Sequence, residues 1–502
     1  MYLNSEIKEI FPENTPYILE GPITGEKPIY LYLSPEKTYL LYSENIKALL
    51  NSPKIIKPLE IWEEGISFLL QSGVIPTPYT VFKNVYVLSM GDKVLIENSY
   101  NKLRLAFFHE YYYFHKYRKF EKKSDINFFL ILLKEAILRK INPLTDIYLF
   151  HSAGKDSNII ALTLASSELK NRTICLTLRG PKNKDESNLA KELAKKMGLK
   201  HLILNIPEKI TNFHIDFLTT YFKNMLIPCT DAVCLVYPFY AMEINFKGTN
   251  ILDGSGVDVF TGHVPRKIEY QRQKIYTKFL FLRSFADKLP SGNFLQEITL
   301  TRSERIGLKG FSFHDAQKIF PPAKPVFYFW KEEDKKRKDW DYFDLKADLW
   351  ATHVEYGNVM RKVRIFAEFC EANLIFPFTD EKVAKYLASL PEKELFDRKT
   401  FKNKLLFRKI LKEKLNFDVD KFPKFSYPFD AFSLLKKMEP HVKEQIFSCK
   451  LWEKKELTKI FNRLLDQASS KDNSLSKKAK NLILRLYLIS AWYNNNLLIR
   501  NF

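Results

Sequence analysis

The segment His151–Ser157 (HSAGKDS) constrains this chain more than any other feature. It follows the compact apolar run Ile147–Phe150 and opens a helical pattern over Ser157–Ser166. Small residues let a backbone turn tightly beside a phosphate, and the N–H groups at a helix N-terminus supply donors and a positive dipole end. The segment therefore predicts a phosphate-binding loop between a strand and a helix. An ordinary helix cap is the plain alternative, because Ser and Asp favour that position.

The side chains of this loop suggest a nucleotide bound with a metal ion. Hydroxyl groups of Ser152 and Ser157 can donate to phosphate oxygens, and Lys155 offers a positive charge. Asp156 would repel bare phosphate, but it is explained if it holds Mg²⁺, which bridges carboxylate and phosphate oxygens. The predicted nucleotide-binding residues of the loop are Ser152, Ala153, Gly154, Lys155, Asp156 and Ser157, with Asp156 also a metal ligand and catalytic residue.

Short apolar runs alternate with amphipathic stretches after Ile126, which is the pattern of helices around a parallel sheet. The chain is predicted to be an α/β protein with a doubly wound parallel sheet and a helical C-terminal part. No strand is predicted beyond about residue 265. The predicted strands are Ile147–Phe150, Thr173–Leu178, His201–Asn205 and Asn250–Leu252, and the first two helices are Ser157–Ser166 and Asp185–Met197.

The N-terminal region has a different pattern, with short apolar segments punctuated by Gly, Pro and Asn. This pattern predicts a separate, truncated β-rich domain over residues 1–120, followed by a larger domain over residues 121–502. The tract Phe107–Phe120 (FFHEYYYFHKYRKF) mixes aromatic and basic residues. It could stack on bases, grip a peptide or pack between domains.

The amino-acid composition excludes few classes of partner or function. Lys and Arg outnumber Asp and Glu by 79 to 58, and this charge could attract RNA, an anionic membrane or an acidic substrate. Many lysines lie in mixed-sign runs such as 331–338 (KEEDKKRK), which are typical of solvated helix faces. The five cysteines form no CxxC pair, and no apolar run approaches the ~20 residues of a membrane span. A cytoplasmic protein with reduced thiols and no membrane span is expected.

Several motifs in a shared order resemble the asparagine synthetase family of the ATP pyrophosphatase superfamily. The phosphate loop is similar to the S-G-G-x-D-S loop of that superfamily, with Ala153 in place of one glycine. The further matching stretches are 185–201 (DESNLAKELAKKMGLKH), 228–231 (PCTD), 253–258 (DGSGVD), 376–380 (FPFTD), 404–408 (KLLFR) and Pro423-Lys424.

This resemblance implies roles for residues far apart in the chain. Asp258 would be a second catalytic carboxylate on Mg²⁺, opposite Asp156, and Lys424 would offset charge on the reacting phosphorus or on a later tetrahedral intermediate. Lys404 and Arg408 are expected four apart on one helix face, where they either bind phosphate or form a solvent-facing pair. The implied ATP site also includes Thr177, Gly254, Ser255 and Gly256.

The N-terminal region resembles the tail of the family's glutaminase domain, most closely over Gly73–Val85. A working glutaminase of this type has Cys at position 2 as its nucleophile, whereas this sequence has Tyr2, and a phenol of pKa near 10 is no substitute. Glutamine is therefore not the expected nitrogen source. The likeness extends to glutaminase-deficient branches such as β-lactam synthetases, carbapenam synthetases and lasso peptide cyclases, which join a carboxylate to an amine.

Two positions depart from the family pattern. Ser255 and Val259 stand where the family carries acidic residues, and serine is a poor base for an incoming amine. Asparagine synthesis is therefore not expected. The leading hypothesis is adenylation of a carboxylate, with release of pyrophosphate, followed by attack of an amine on the acyl-AMP. The substrate would be a biosynthetic intermediate or a precursor peptide, as for a macrocyclase.

Two other classes remain open at this point. A tRNA-modifying ATP pyrophosphatase would account for the positive charge, but neither catalytic cysteines nor an RNA-binding module is apparent, so nucleic acid is not the expected partner. A catalytically inactive family member would account for Ser255 and Val259. Retention of both metal-binding carboxylates disfavours the inactive class.

Overall fold

The computed structural model describes residues 6–110, 121–181, 184–307, 309–422, 429–496 and 498–499. Its strands are β1 (Lys8–Ile10), β2 (Tyr17–Glu20), β3 (Ile29–Leu33), β4 (Leu40–Ser43), β5 (Val85–Leu88), β6 (Asp92–Ser99), β7 (Lys102–His109), β8 (Ile147–Phe150), β9 (Thr173–Leu178), β10 (Lys200–Leu204), β11 (Asn250–Leu252), β12 (Asn373–Ile375), β13 (Phe396–Asp397) and β14 (Lys402–Asn403).

The α-helices up to the middle of the chain are α1 (Ile46–Leu50), α2 (Glu63–Ser72), α3 (Ile126–Leu138), α4 (Lys155–Ala165), α5 (Ser187–Lys196), α6 (Asn212–Asn224), α7 (Tyr237–Glu243), α8 (Val257–Thr261), α9 (Lys267–Tyr276), α10 (Arg283–Ala286), α11 (Phe294–Ile298) and α12 (Phe313–Ile319). The later ones are α13 (Phe327–Lys336), α14 (Tyr342–Leu349), α15 (Arg361–Phe369), α16 (Glu381–Ala388), α17 (Glu392–Leu395), α18 (Leu405–Leu415), α19 (Ala431–Lys437), α20 (Glu439–Ser448), α21 (Lys454–Ala468) and α22 (Asn473–Asn495). A π-helical segment, Trp350–Met360, joins α14 to α15.

The N-terminal region forms a sandwich of two antiparallel sheets, ordered β1-β4-β3-β5 and β2-β6-β7. In β6 the first five residues alternate between buried and half-buried positions, so one face of the strand turns inward. Side chains from both sheets meet in one apolar layer that includes Leu31, Leu40, Val94 and Leu103. The predicted β-rich N-terminal region is confirmed.

A five-stranded parallel sheet, ordered β10-β9-β8-β11-β12, forms the centre of the larger region. β8 and β11 are neighbours although they lie about a hundred residues apart in sequence. The chain adds β9 and then β10 on one side of β8, and β11 then pairs with the other side of β8. In open sheets of this kind, ligands bind beyond the carboxyl ends of the strands where the strand order reverses. The predicted α/β class, with a parallel sheet and a helical C-terminal part, is confirmed.

The prediction of no strand beyond residue 265 is wrong. β12 pairs in parallel with β11, with Asn373 opposite Asn250, and β13 and β14 form a short antiparallel pair. These strands have only two or three residues each, so they contain no more than about one and a half periods of the two-residue alternation between buried and exposed positions. Their pairing is specified by distant partners.

The sandwich and the larger region share a hydrophobic core. Cross-region hydrogen bonds tie them together, such as Trp330 Nε1 to Ser72 Oγ at 2.9 Å and Arg485 Nη1 to the Leu70 carbonyl at 2.9 Å. The tract Phe107–Phe120 belongs to β7 up to His109, and residues 111–120 lie outside the described part of the chain. Among the helices that the structure describes, none combines the length and apolar character that a membrane crossing requires.

Candidate active site

The predicted phosphate loop lies between β8 and α4, and hydrogen bonds between its own residues fix its conformation. The Ser152 hydroxyl accepts the Gly154 N–H at 3.0 Å, and the Ser157 hydroxyl accepts the Ser152 N–H at 3.1 Å. The Asn158 amide donates to the carbonyls of Ser152 and Gly154, at 2.9 and 2.6 Å. These bonds fix the turn so that the N-terminus of α4 opens toward the carboxyl edge of the sheet, where an anion would be favoured.

Two carboxylates from separate loops meet on one ammonium group. Lys404 Nζ lies 2.7 Å from Asp156 Oδ2 and 2.9 Å from Asp258 Oδ1. Asp156 follows β8 and Asp258 follows β11, so the adjacency of these two strands brings the acids together. Lys404 itself is 3% exposed. Burial alone would lower the pKa of Lys404, but the two carboxylates raise it above its ordinary value.

Glycine permits the two loops to approach this closely. A Cβ added at Gly254 would lie 3.1 Å from the Cβ of Asp156, closer than side chains normally pack. Gly256 has φ +88°, and an added Cβ would lie 2.5 Å from Thr379 Cγ2. The second loop therefore requires glycine at both positions, at Gly254 for the contact with the phosphate loop and at Gly256 for its backbone turn.

The donor set is compatible with a magnesium ion. Asp156 Oδ1 is buried and has no hydrogen-bond partner, whereas Oδ2 faces Lys404. An unpartnered carboxylate oxygen beside a second acid is a suitable hard ligand for Mg²⁺, which commonly takes one or two carboxylates together with substrate phosphates. Within the described residues no group of three or more His, Cys, Asp or Glu side chains is arranged to hold a metal by itself. A metal here would thus share its coordination with a phosphate.

A cleft of about 840 Å³ opens over these residues at the carboxyl edge of the sheet. Phe150, Leu176 and Leu178 form an apolar wall on the side of β8 and β9, where a flat base could lie. The lining also includes charged residues from the part of the chain after α8, namely Arg266, Glu269, Arg305 and Lys346. The cleft thus combines apolar side chains, the acids on Lys404 and a set of charged side chains of both signs.

Most of the predicted site residues line the cleft. Those that line the cleft are Ser152, Gly154, Asp156, Ser157, Gly254, Ser255, Asp258 and Lys404. Ala153, Lys155 and Gly256 are buried and do not line the cleft. Lys424 lies outside the described residues.

The structure differs from the sequence prediction in the positions of Thr177 and Arg408. It also differs in the helix face that Lys404 and Arg408 are predicted to share. Thr177 is not among the residues that line the cleft, and its hydroxyl donates to the His151 carbonyl at 2.8 Å and lies 2.9 Å from His201 Nε2. Lys404 does not share a helix face with Arg408, because it precedes α18 in a left-handed conformation with φ 55°. Arg408 pairs with Asp420 and with the carbonyl of Asn403, which lines the cleft, whereas Arg408 itself is not part of the cleft lining. The local periodicity could not show that the chain turns at Lys404.

Glu355 is a functional candidate that the sequence reasoning missed. It lies in the π-helical segment and lines the cleft, where Oε1 accepts the Gly256 N–H at 2.6 Å and Oε2 accepts Trp350 Nε1–H at 2.9 Å. Burial, and then the charge of Asp258, raise its pKa to about 7. π-Helical segments often mark functional sites. One signal in the sequence could have indicated this residue. Glu355 is the only Asp, Glu, Lys or Arg between Asp348 and Arg361, so it is an isolated charge within a largely apolar segment.

His263 and Asp253 also line the cleft and were not predicted as site residues. The His263 ring stacks on Trp350 with centroids 4.0 Å apart, and burial lowers its pKa to about 4, so the ring is neutral. Asp253 Oδ1 accepts the Ser255 N–H at 2.8 Å, which closes the turn of the second loop. Burial raises the pKa of Asp253.

The fold, a parallel sheet with a small-residue loop between its first strand and the following helix, is of the class of α/β proteins that bind ligands beyond the carboxyl ends of their strands. The model of the family described as Asparagine synthase matches residues 130–494, so the chain belongs to this family. Its members are ATP-dependent amide-forming ligases. A Methanocaldococcus jannaschii protein named "putative asparagine synthetase 2 (glutamine-hydrolyzing)" is 25% identical over 139 residues, which are 27% of this chain and 26% of that relative. The chain thus aligns with about a quarter of that relative's length.

Proposed function

We propose that this chain activates a substrate carboxylate with ATP as an acyl-adenylate and transfers the acyl group to an amine. The observation that carries the proposal is the meeting of Asp156 and Asp258 on Lys404 at the carboxyl ends of β8 and β11. Family membership supports ATP-dependent amide formation, and this arrangement supports the phosphate chemistry of the first step.

In the first step the chain's residues bind and orient the triphosphate. The N-terminal N–H groups of α4 and the hydroxyls of Ser152 and Ser157 would donate to the phosphates. Asp156 and Asp258 would hold Mg²⁺, which supplies neutralising charge to the leaving pyrophosphate. The substrate carboxylate attacks the α-phosphorus, and the bond between that phosphorus and pyrophosphate breaks. Lys404 would offset the negative charge that develops on the phosphoryl oxygens.

In the second step Glu355 replaces the acid that is missing at Ser255. With a pKa of about 7, its carboxylate can accept a proton near neutral pH. The amine nitrogen attacks the acyl carbon, the bond from that carbon to the AMP oxygen breaks, and the amine proton passes to Glu355. Gly256 and Trp350 hold the Glu355 carboxyl in place by hydrogen bonds.

The same proposal includes an amine that does not come from glutamine hydrolysis by this chain. The first cysteine of the sequence is Cys175, so residues 1–120 offer no thiol nucleophile. We interpret residues 1–120 as a truncated glutaminase-like domain that packs against the larger domain, residues 121–502, and stabilises it. The finer assignment is a natural-product amide synthetase or a peptide macrocyclase, with a peptide or other biosynthetic acid as substrate. Lys424 retains its proposed role beside the reacting phosphorus.

Exchange of labelled pyrophosphate into ATP tests the first step. A panel of free acids and carboxylate-bearing peptides is supplied with Mg²⁺, and exchange with at least one of them is expected. Asp156→Asn should abolish the exchange, whereas Asp216→Asn, on an exposed position of α6, should leave it unchanged. If wild-type protein exchanges pyrophosphate with no acid in the panel and does not bind ATP, the proposed function is wrong.

A further inference from the structure

A groove on the segment between α8 and α14 combines apolar and cationic side chains. It runs between α13 and the 3₁₀ segment Thr277–Leu282 that follows α9, and it encloses about 600 Å³. We call it the aromatic–lysine groove. Its lining residues are Thr277, Leu280, Phe281, Thr301, Arg302, Phe327, Lys331, Asp334, Lys335 and Lys338.

One side of the groove is apolar and unusually exposed. Phe281 is 77% exposed, and Phe285 and Phe294 on the adjoining helices are 58% and 65% exposed. Tyr328, beside the groove on α13, is 65% exposed. Single exposed apolar residues are ordinary, but several large ones on neighbouring short helices indicate a surface that binds a partner.

The other side presents positive charge with little to balance it. Phe327, Lys331, Lys335 and Lys338 recur every three or four residues, so they share one face of α13 and the turn after it. Asp334, the acid in the groove lining, is already paired with Arg302 at 2.8 Å. Lys331 and Lys338 form no ion pair with any residue in the described part of the chain, and Lys335 pairs with exposed Glu332.

We propose that this groove is a docking site for an acidic amphipathic segment of a partner polypeptide. Apolar side chains of the segment would pack on Leu280, Phe281 and Phe327, while its Asp and Glu residues would face the lysines of α13. α13 has ten residues and so extends about 15 Å, which matches roughly three turns of a helix laid along it. This is the helix-in-groove mode of recognition with charge complementarity along one edge.

The groove is close to the cleft but separate from it. Glu269 of α9 lines the cleft and Thr277 lines the groove, eight residues or about 12 Å further along the helix direction. Similarly, Arg302 lies in the groove and Arg305 in the cleft. A docked partner would therefore lie near Glu269 and Arg305 of the cleft, and its binding needs neither ATP nor turnover.

Fluorescence anisotropy with a labelled fifteen-residue peptide tests the docking site on the full chain. The probe carries leucines at helical spacing and glutamates elsewhere. Saturable binding is expected, weakened at least tenfold by Phe281→Ser and by Lys331→Glu/Lys335→Glu. Phe213→Ser, which changes a 63% exposed phenylalanine of α6, is the matched control and should leave the Kd unchanged. Thermal melts confirm that all variants fold.

Three outcomes would overturn the proposal. They are an absence of saturable binding, equal binding of a peptide in which lysine replaces every glutamate, and equal binding of a peptide in which serine replaces every leucine. Tighter binding of an RNA oligonucleotide or of anionic vesicles, lost in the same groove variants, would assign the surface to another class of ligand. Because the measurement contains no nucleotide, its failure leaves the proposed ATP chemistry untouched.

Discussion

Asp156 and Asp258, which follow neighbouring strands of the parallel sheet, are bound to the same lysine ammonium group. Without the Lys404 charge, two carboxylates this close would repel each other. Lys404 therefore stabilises the folded protein as the counter-ion of a site that we propose to bind magnesium and triphosphate.

Lys404→Met should destabilise the protein markedly. Removing one partner from a buried ion cluster leaves uncompensated charge and costs about 3–5 kcal/mol. Lys402→Met is the matched control two residues away, where an exposed pair with Asp420 at 2.8 Å contributes about 0–1 kcal/mol. Urea unfolding followed by circular dichroism measures both. Added Mg²⁺ should recover part of the loss in Lys404→Met, and equal unfolding midpoints for the two variants would contradict the proposed counter-ion role.

Glu355 should control the pH dependence of the second step. Its pKa of about 7 means that the basic, ionised form accumulates as pH rises through neutrality, so amide formation should increase up to about pH 7 and then level off. Glu355→Gln should lower amide formation by roughly 10²–10⁴-fold and remove this rise. Pyrophosphate exchange should persist in the variant. Loss of exchange and amide formation together would instead assign Glu355 to the first step or to folding.

Gly256→Ala should destabilise the second loop by about 3 kcal/mol, through a left-handed backbone and a clash with Thr379. Gly248→Ala provides the control, because Gly248 has φ +72° but nothing within 4 Å of an added Cβ. It should lose only about 1–2 kcal/mol. Thr379→Ser removes the clashing methyl group, so the double variant Gly256→Ala/Thr379→Ser should regain stability. No recovery would show that backbone strain alone sets the cost.

His109 should make the free energy of unfolding decrease as the pH becomes alkaline. Burial by itself would lower its pKa, but Asp348 and Asp92 raise it to about 9. A raised histidine pKa stabilises the fold fully below its unfolded value of about 6.5, and this stabilisation is lost as pH rises through 9. The loss should be about 2–4 kcal/mol, measured by urea unfolding at pH 6 and pH 9.5. In His109→Gln the difference between the two pH values should shrink by that amount.

Much of the framework could be predicted from the sequence. The strands Ile147–Phe150, Thr173–Leu178 and Asn250–Leu252 have the predicted bounds, because each is a compact apolar run between polar turns. The loop 151–157 was placed between strand and helix for the same reason. β12 was missed because three residues carry too little periodic signal, and its place beside β11 depends on pairing across more than a hundred residues.

The sequence by itself determined the longer strands of the parallel sheet and the helices between them, the position of the loop 151–157 and the family that the later motifs resemble. Those properties follow from local patterns of polarity and small residues. Only the tertiary structure decided that Lys404 bridges Asp156 and Asp258, that Thr177 and Arg408 are not part of the cleft lining, and that Glu355 reaches the cleft from a π-helical segment. The physical reason is that these relationships depend on strand order, local backbone turns and burial, which join residues up to about 250 positions apart.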